Sequence, residues 1–303
     1  MRISFTSETK EELSLLAAEQ SPCCQDAQLY GMLLFGKRFS IREVAYLSDQ
    51  LPLADFVKKL LERIAPIAVT QQKNGRKWEI NVPSAADRRQ VLDYFGHTSS
   101  DISLRIQPNA LQDDCCKAAF LRGVFFSCAT MTAPQLQYHL AFCGGFRNLT
   151  EDLAQMLEQL GFSPKRTQRK GSWILYLKDS GEIEDFLTYL GAQTAPLALM
   201  QVKIEKSVRN HVNRKVNFEN ANLSRTVNAA FLQCQAIQAL RAHGRLDSLS
   251  PPLRQAARLR EENPEASLDE LCAMSGDCAR STMHHRFKRL MELANIQKEN
   301  THA

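Results

Sequence analysis

The segment Cys23-Cys24-Gln25-Asp26-Ala27-Gln28-Leu29-Tyr30-Gly31-Met32-Leu33-Leu34-Phe35-Gly36 is written twice in this chain of 303 residues. Its second copy is Cys115-Cys116-Lys117-Ala118-Ala119-Phe120-Leu121-Arg122-Gly123-Val124-Phe125-Phe126-Ser127-Cys128, at a constant offset of 92. Paired cysteines, a Leu-x-Gly and an apolar triplet coincide, which is the mark of an internal repeat. Each copy sets its glycine amid large apolar residues, so each reads as a buried helix. A glycine inside such a helix costs about 1 kcal/mol against alanine and needs a packing reason. Close approach of the two helix backbones at Gly31 and Gly123 supplies one.

The repeat continues outward. After the first copy come strand-like Phe39 to Val44, a helix over roughly 53–64, an Asn74-Gly75 hairpin signal, Lys77 to Val82 and a helix around 85–95. After the second come strand-like Leu136 to Phe142, a helix over roughly 150–160, a hairpin ending in Trp173 to Leu177 and a helix at about 182–190. The two tryptophans of the chain, Trp78 and Trp173, fall at corresponding hairpin positions. Each unit therefore reads α-β-β-α-β-β-α.

Composition and charge narrow the function classes. Apolar content is 44% and charged content 23%, as in ordinary globular chains. No window approaches 18 apolar residues, so no membrane span is expected, and the N-terminus lacks the pattern of a secretory signal. An intracellular location follows from these two readings. The nine cysteines form no Cys-x-x-Cys pair and are odd in number. They suggest neither a zinc site nor a disulfide framework. The net charge of +5 lies wholly in residues 197–303, where 16 Lys+Arg meet 11 Asp+Glu, while residues 1–196 balance at 22 each. An excess confined to one half points to an anionic partner there, nucleic acid first.

Within that half, Ser267 and Glu270 fit a Ser-x-x-Glu capping box, and Gly276 sits in a short polar break. Beyond it Met283, Phe287, Leu290 and Ala294 form one apolar helical stripe. Ser281, His285, Lys288 and Glu292 point away from the stripe, with Thr282, His284 and Arg289 on its flanks. This is the pattern of a helix-turn-helix whose second helix enters the major groove. An ordinary helical hairpin with a solvated basic face is the alternative. Ser281, Thr282 and His285 are the candidates for base edges, Arg280, Arg286, Lys288 and Arg289 those for phosphates, and His284 is a further DNA-binding candidate on the flank. Arg209, Arg214, Lys215 and Arg225, in an Asn-rich segment, are candidate secondary phosphate contacts; a purely structural connector is the equal reading. Lys73, Arg76, Lys77, Lys165, Arg166, Arg169 and Lys170 in the hairpins are either a DNA saddle or solvated loop tips.

The duplicated half resembles the LAGLIDADG homing-endonuclease fold. That resemblance implies two central helices, each ending in an acidic metal ligand five positions after the motif glycine. Those positions are Gly36 and Cys128 here, and neither offers a hard oxygen ligand. Ser4-Phe5-Thr6-Ser7-Glu8, Leu121-Arg122-Gly123-Val124-Phe125, Tyr138-His139-Leu140, Asn213-Arg214 with Asn217, and Asn263-Pro264-Glu265-Ala266-Ser267-Leu268 together resemble the WhiA family of bacterial DNA-binding regulators. The resemblance covers essentially the whole chain. It implies a cytoplasmic, nucleoid-associated protein of Gram-positive bacteria with a catalytically dead LAGLIDADG-like domain and no cofactor. Double-stranded DNA would be its partner, alongside RNA polymerase or a partner transcription regulator. The roles implied are transcriptional control of sporulation, cell division or chromosome segregation. The family's recognition helix usually reads Lys-Ser-Gly-Val-Asn-His-Arg, so Ser281, His285 and Arg286 match it while Thr282, Met283 and His284 depart.

The expected fold class is α+β: a pseudo-duplicated LAGLIDADG-like αββαββα domain followed by an all-α helix-turn-helix domain. The expected boundaries are an N-terminal helix in 1–20, the duplicated domain in 21–196 (repeats about 21–95 and 113–192), a helical connector in 197–225, the helix-turn-helix domain in 226–296 and a tail in 297–303. The rival functions are a metal-dependent DNA endonuclease and a protein-interaction module.

Overall fold

The computed structural model describes residues 4–17, 20–98, 101, 103–111, 113–276 and 278–294. The expected tail lies outside them. The chain divides into two compact units, Met1–Lys206 and Ser207–Ala303.

The first unit opens with α1 (Phe5–Ala17) and is built around α2 (Pro22–Leu34). Strand β1 (Ala45–Ser48), α3 (Leu51–Ile64), β2 (Thr70–Asn74), β3 (Lys77–Asn81) and α4 (Ala85–Tyr94) complete the first repeat. The second runs through α5 (Asp114–Cys128), β4 (Ala129–Met131), β5 (Leu140–Gly144), α6 (Arg147–Gln159), β6 (Lys165–Arg169), β7 (Ser172–Leu177) and α7 (Ser180–Tyr189). Both sheets are antiparallel, with strand order β1-β3-β2 in the first and β4-β5-β7-β6 in the second. The first three strands of one thus match the last three of the other. Trp78 and Trp173 are the second residues of β3 and β7, and each carries a cation over its ring, Lys73 at 5.6 Å and Arg147 at 5.3 Å.

The strand bounds differ from those the sequence predicts. Phe39 to Val44 is a reverse turn, closed by Ser40 N–H on the Glu43 carbonyl (2.8 Å) and Glu43 N–H on the Ser40 carbonyl (3.1 Å). Only Phe39 and Val44 bridge, and the strand proper begins at Ala45. In the second repeat β4 follows α5 without a loop, and β5 starts at Leu140 rather than Leu136. The full αββαββα pattern is therefore realised in the second repeat, and the first has a bridge in place of its opening strand.

Helices α2 and α5 form the centre of the unit, because each gives the other no room for a Cβ at its glycine. A Cβ on Gly123 would stand 2.8 Å from Met32 N and closer still to the Gln28 carbonyl oxygen; one on Gly31 would stand 3.0 Å from Val124 N and closer to the Phe120 carbonyl oxygen. Around that crossing Leu29, Tyr30, Met32, Leu33, Phe120, Leu121, Val124 and Phe125 are fully buried. Of the buried polar pair between the helices, Arg122 donates to Gln28 Oε1 (3.1 Å) and to the Leu190 carbonyl (2.8 Å), while Gln28 Nε2 is left without a partner among the described residues.

Helix α8 (Thr194–Ala242) is 49 residues long, and its start is capped from α1. Glu12 accepts from the N–H groups of Gln193, Thr194 and Ala195 at 2.6, 2.6 and 3.1 Å. Burial would raise this carboxyl, but those donors outweigh it and hold it below the usual range. The sequence reading takes residues 197–241 as largely helical and sets a connector (197–225) before the helix-turn-helix domain that starts at 226. One helix runs through both, since no glycine or proline interrupts it from Leu197 to Ala242.

The second unit adds α9 (Pro251–Glu262), α10 (Leu268–Met274) and α11 (Arg280–Leu293). Ile237 and Leu240 of α8 join Ala256, Ala257, Leu271, Met283, Phe287 and Leu290 in one small core.

Candidate nucleic-acid interface

The turn between α10 and α11 is set by two local devices. The capping box forms in full, with Glu270 N–H on Ser267 Oγ (3.3 Å) and Ser267 N–H on Glu270 Oε2 (2.7 Å). Gly276 then adopts φ +91°, a conformation that strains any residue with a Cβ. Helix α11 begins at Arg280 with Ala279 at its N-cap, so no side chain caps its first amide groups.

The apolar stripe turns inward and the basic face outward. Met283, Phe287 and Leu290 are buried, while Arg280, Ser281, Thr282, His284, His285, Lys288 and Arg289 are exposed and Arg286 is half-buried. The His284 and His285 rings stand edge to face with centroids 6.4 Å apart. Two of the cations have acidic neighbours: Arg280 meets Asp269 of α10 at 2.7 Å, and Arg289 meets Glu292 at 3.2 Å. Exposed pairs of this kind hold by at most about 1 kcal/mol and exchange readily for a phosphate. Arg286 and Lys288 have no acidic partner among the described residues. The surface offers hydroxyl and imidazole groups near the start of the helix and cations along it, which suits base edges and phosphates respectively.

A residue the sequence reading passed over holds this unit together. Arg260 is 1% exposed, stacks over the Phe287 ring at 5.3 Å, and donates to Gln233 Oε1 (3.0 Å) and to the carbonyls of Asn263 (3.3 Å), Pro264 (3.3 Å) and Ala266 (2.6 Å). It ties α8, α9 and the α9–α10 loop to the back of α11. Its signal is spacing: Leu253, Ala256, Ala257 and Arg260 recur at three, one and three residues, placing Arg260 on the inward stripe.

The secondary candidates are dispersed. Arg209, Arg214, Lys215 and Arg225 are all exposed on α8. At about 100° per residue, Arg214 and Arg225 share a face, and Arg209 and Lys215 point elsewhere. In the hairpins Arg166 is engaged by Glu158 (2.8 Å) and Glu151 (3.3 Å).

At the opposite ends of α2 and α5 from their paired cysteines stand the positions where the LAGLIDADG resemblance implies metal ligands. Gly36 has no side chain. The Cys128 thiol is buried, donates to the Val124 carbonyl, and is pushed up to about 12 by that burial, so it stays protonated. Beside it the Lys10 ammonium donates to the Phe126 carbonyl at 2.8 Å. A protonated thiol, a bare backbone and an ammonium do not fit a hard divalent cation.

Comparison with known proteins decides the kinship. A "WhiA C-terminal HTH domain" family model matches residues 212–294, and a "WhiA LAGLIDADG-like domain" model matches residues 117–209. The "Probable cell division protein WhiA" of Symbiobacterium thermophilum is 32% identical over 96% of this chain and 98% of its own length. The chain belongs to the WhiA family. The WhiA protein of the same printed name from Heliobacterium modesticaldum is 33% identical over 96% of each chain. The crystal structure of full-length WhiA from Thermatoga maritima matches 97% of this chain and 98% of that one, with a TM-score of 0.56 at 24% identity, and so shares the fold. This WhiA protein thus joins a LAGLIDADG-like domain to a helix-turn-helix domain. No helix among its described residues is long and apolar enough to cross a membrane.

Proposed function

We propose that this protein is a non-enzymatic, sequence-preferring DNA-binding regulator, acting in the cytoplasm on nucleoid DNA to control genes of cell division, chromosome segregation or sporulation. The observation that carries the reading is the division of α11 into a buried apolar stripe and an exposed face of hydroxyl, imidazole and cationic groups with no acid before Glu292. Ser281, Thr282, His284 and His285 read base edges. Arg280, Arg286, Lys288 and Arg289 neutralise phosphates and fix register. Ser281, His285 and Arg286 keep the family pattern, so base preference varies through the exposed Thr282 and His284, while Met283 departs on the buried side.

Binding of the full chain to duplex DNA, measured by anisotropy across a salt series, tests this. Three or four phosphate contacts give a slope of log K against log salt of about −3 to −4. The Arg286→Ala/Arg289→Ala variant removes two contacts and flattens the slope by about 2. Affinity indifferent to salt, or a variant with the wild-type slope, refutes the assignment. Supercoiled plasmid incubated with the protein and magnesium or manganese stays intact; cleavage that a chelator abolishes refutes the non-enzymatic part. Retention of a protein partner such as RNA polymerase by the double variant, with DNA binding weakened, separates the two kinds of contact.

A further inference from the structure

We propose that Cys23, Cys24, Cys115 and Cys116 form a binding site for a thiophilic divalent cation, zinc above all, that clamps the N-terminal ends of α2 and α5 together. The four thiols occupy equivalent places: Cys23 and Cys24 are the second and third residues of α2, and Cys115 and Cys116 the second and third of α5. No motif within one element announces the site, because its ligands lie 92 residues apart in the sequence. The expectation that the cysteines serve no metal is revised by their convergence.

The Sγ atoms of Cys23, Cys24 and Cys116 all lie within 4.8 Å of one another, and so do the Sγ atoms of Cys115 and Cys116 and a carboxylate oxygen of Asp113. Cys116 belongs to both groups. Tetrahedral zinc with Zn–S bonds of about 2.3 Å needs sulfurs about 3.8 Å apart. Within the Cys23–Cys24–Cys116 group, and between Cys115 and Cys116, the excess over that spacing is at most about 1 Å, and the exposed Cys115 turns from Cys116 toward the other two to complete the set. Cys24 and Cys116 are buried and form the floor. A cavity of about 260 Å³ lined by Cys23, Asp26, Tyr94, Asp113 and Cys116 opens the way in.

The surrounding groups point the same way. Ser21 and Asp113 are the N-caps of α2 and α5, yet neither makes a side-chain cap bond. Ser21 Oγ sits 3.2 Å from Cys23 Sγ, and the Asp113 carboxylate faces the thiols. Both residues decline their usual task and turn to the sulfurs, as outer partners of a metal do. The other nearby acids are spoken for: Asp26 by Arg63 and the Tyr94 hydroxyl, and Asp114 by Lys117. Pairing of the four thiols as two disulfides is the competing outcome, and the test separates it from metal binding. The site is distinct from the nuclease-type position, since Cys116 and Cys128 lie about 18 Å apart along α5.

The test uses full-length protein prepared in reducing conditions without chelator. Elemental analysis should find one zinc per chain, and metal-stripped protein titrated with cobalt(II) should show the thiolate charge-transfer and intense visible bands of a tetrahedral sulfur site. Cys23→Ser and Cys115→Ser, both at exposed positions, should weaken binding while leaving the far-UV circular dichroism unchanged. Cys23→Ser/Cys115→Ser together should lose stoichiometric binding, and Cys234→Ser should keep it. Three results overturn the site: no stoichiometric metal while all thiols titrate as free, a cobalt spectrum without thiolate bands, or thiols consumed as a disulfide with no metal taken up.

Discussion

Replacing Gly123 by alanine tests the two-helix centre most sharply, because elsewhere in a helix the same change stabilises. Intrinsic propensity favours alanine by about 1 kcal/mol. Against that, the new Cβ would stand 2.8 Å from Met32 N and closer to the Gln28 carbonyl, where ordinary contact begins at 3.4 Å. Both obstacles are backbone atoms of a fully packed helix, so neither can swing aside. Helices α2 and α5 must separate by on the order of 1 Å, which forfeits a quarter to a half of the dispersion energy of each contact across the crossing. Summed over tens of atom pairs, and with the strain of overpacking, the net loss is about 2–4 kcal/mol. That lowers the melting temperature of the first unit by about 4–16 °C. Both tryptophans, Trp78 and Trp173, lie in this unit, so their fluorescence in a urea titration reports it without signal from the second. Gly31→Ala should behave alike through the Phe120 carbonyl, and Gly145→Ala, with nothing within 4 Å of its Cβ, should be neutral or slightly stabilising. A neutral or stabilising Gly123→Ala would refute the reasoning.

The second unit should depend on Arg260: Arg260→Leu leaves three carbonyls and Gln233 Oε1 without their donor and should cost about 2–4 kcal/mol. Arg260→Lys, with one ammonium for the fork, should recover only part of it, read by hydrogen exchange in α9 to α11; an unchanged exchange pattern would show that the buried guanidinium is dispensable. The first unit should also weaken in mild acid. His97 is 1% exposed, with its Nε2 2.9 Å from the Tyr30 hydroxyl; burial pushes its pKa down, and Asp101 opposes this only in part. The unfolded chain therefore binds the proton first, so the stability is full above about pH 6.5 and falls below it, by at most about 1.4 kcal/mol per pH unit for this one group. His97→Gln should flatten the slope between about pH 6.5 and 5, and a slope steeper than wild type there would contradict the sign.

Which features could be read from the sequence follows from how far apart their determinants lie. The repeat was legible because Gly31 and Gly123, the cysteine pairs and the two tryptophans keep near-constant offsets that no local propensity has to reveal. The capping box at Ser267 and the positive-φ turn at Gly276 were legible because capping and turn chemistry act within four residues. The first strand was misplaced because Phe39-Ser40-Ile41-Arg42-Glu43-Val44 alternates like a strand, while its ends are closed by a backbone turn that periodicity does not see. The helical character of 197–241 was legible because no glycine or proline interrupts it, whereas the single continuous rod of α8 has no local signal beyond that absence. Arg260 was missed because a cation on an amphipathic helix is usually solvated, and the thiol cluster because its ligands meet only after α2 and α5 cross.

That crossing also explains why the fold can persist without metal chemistry at its nuclease-type position. The energy of the centre resides in the close approach at Gly31 and Gly123 and in the apolar side chains around it. A change at either glycine costs a sizeable share of a domain's usual 5–15 kcal/mol. Position 128 carries no such constraint, while a Cβ at Gly36 would press only against the α2 carbonyls of Met32 (2.8 Å) and Leu33 (3.3 Å) and meet nothing of α5. A carboxylate at 128, buried among apolar side chains, would itself be costly unless a cation compensated it. With a thiol there, the Lys10 ammonium instead satisfies the Phe126 carbonyl near the end of α5, where a positive charge also suits the helix dipole. An uncompensated carboxylate at 128 would load the centre, and a Cβ at Gly31 or Gly123 would break it, so the packing of the crossing does not depend on acids at those positions.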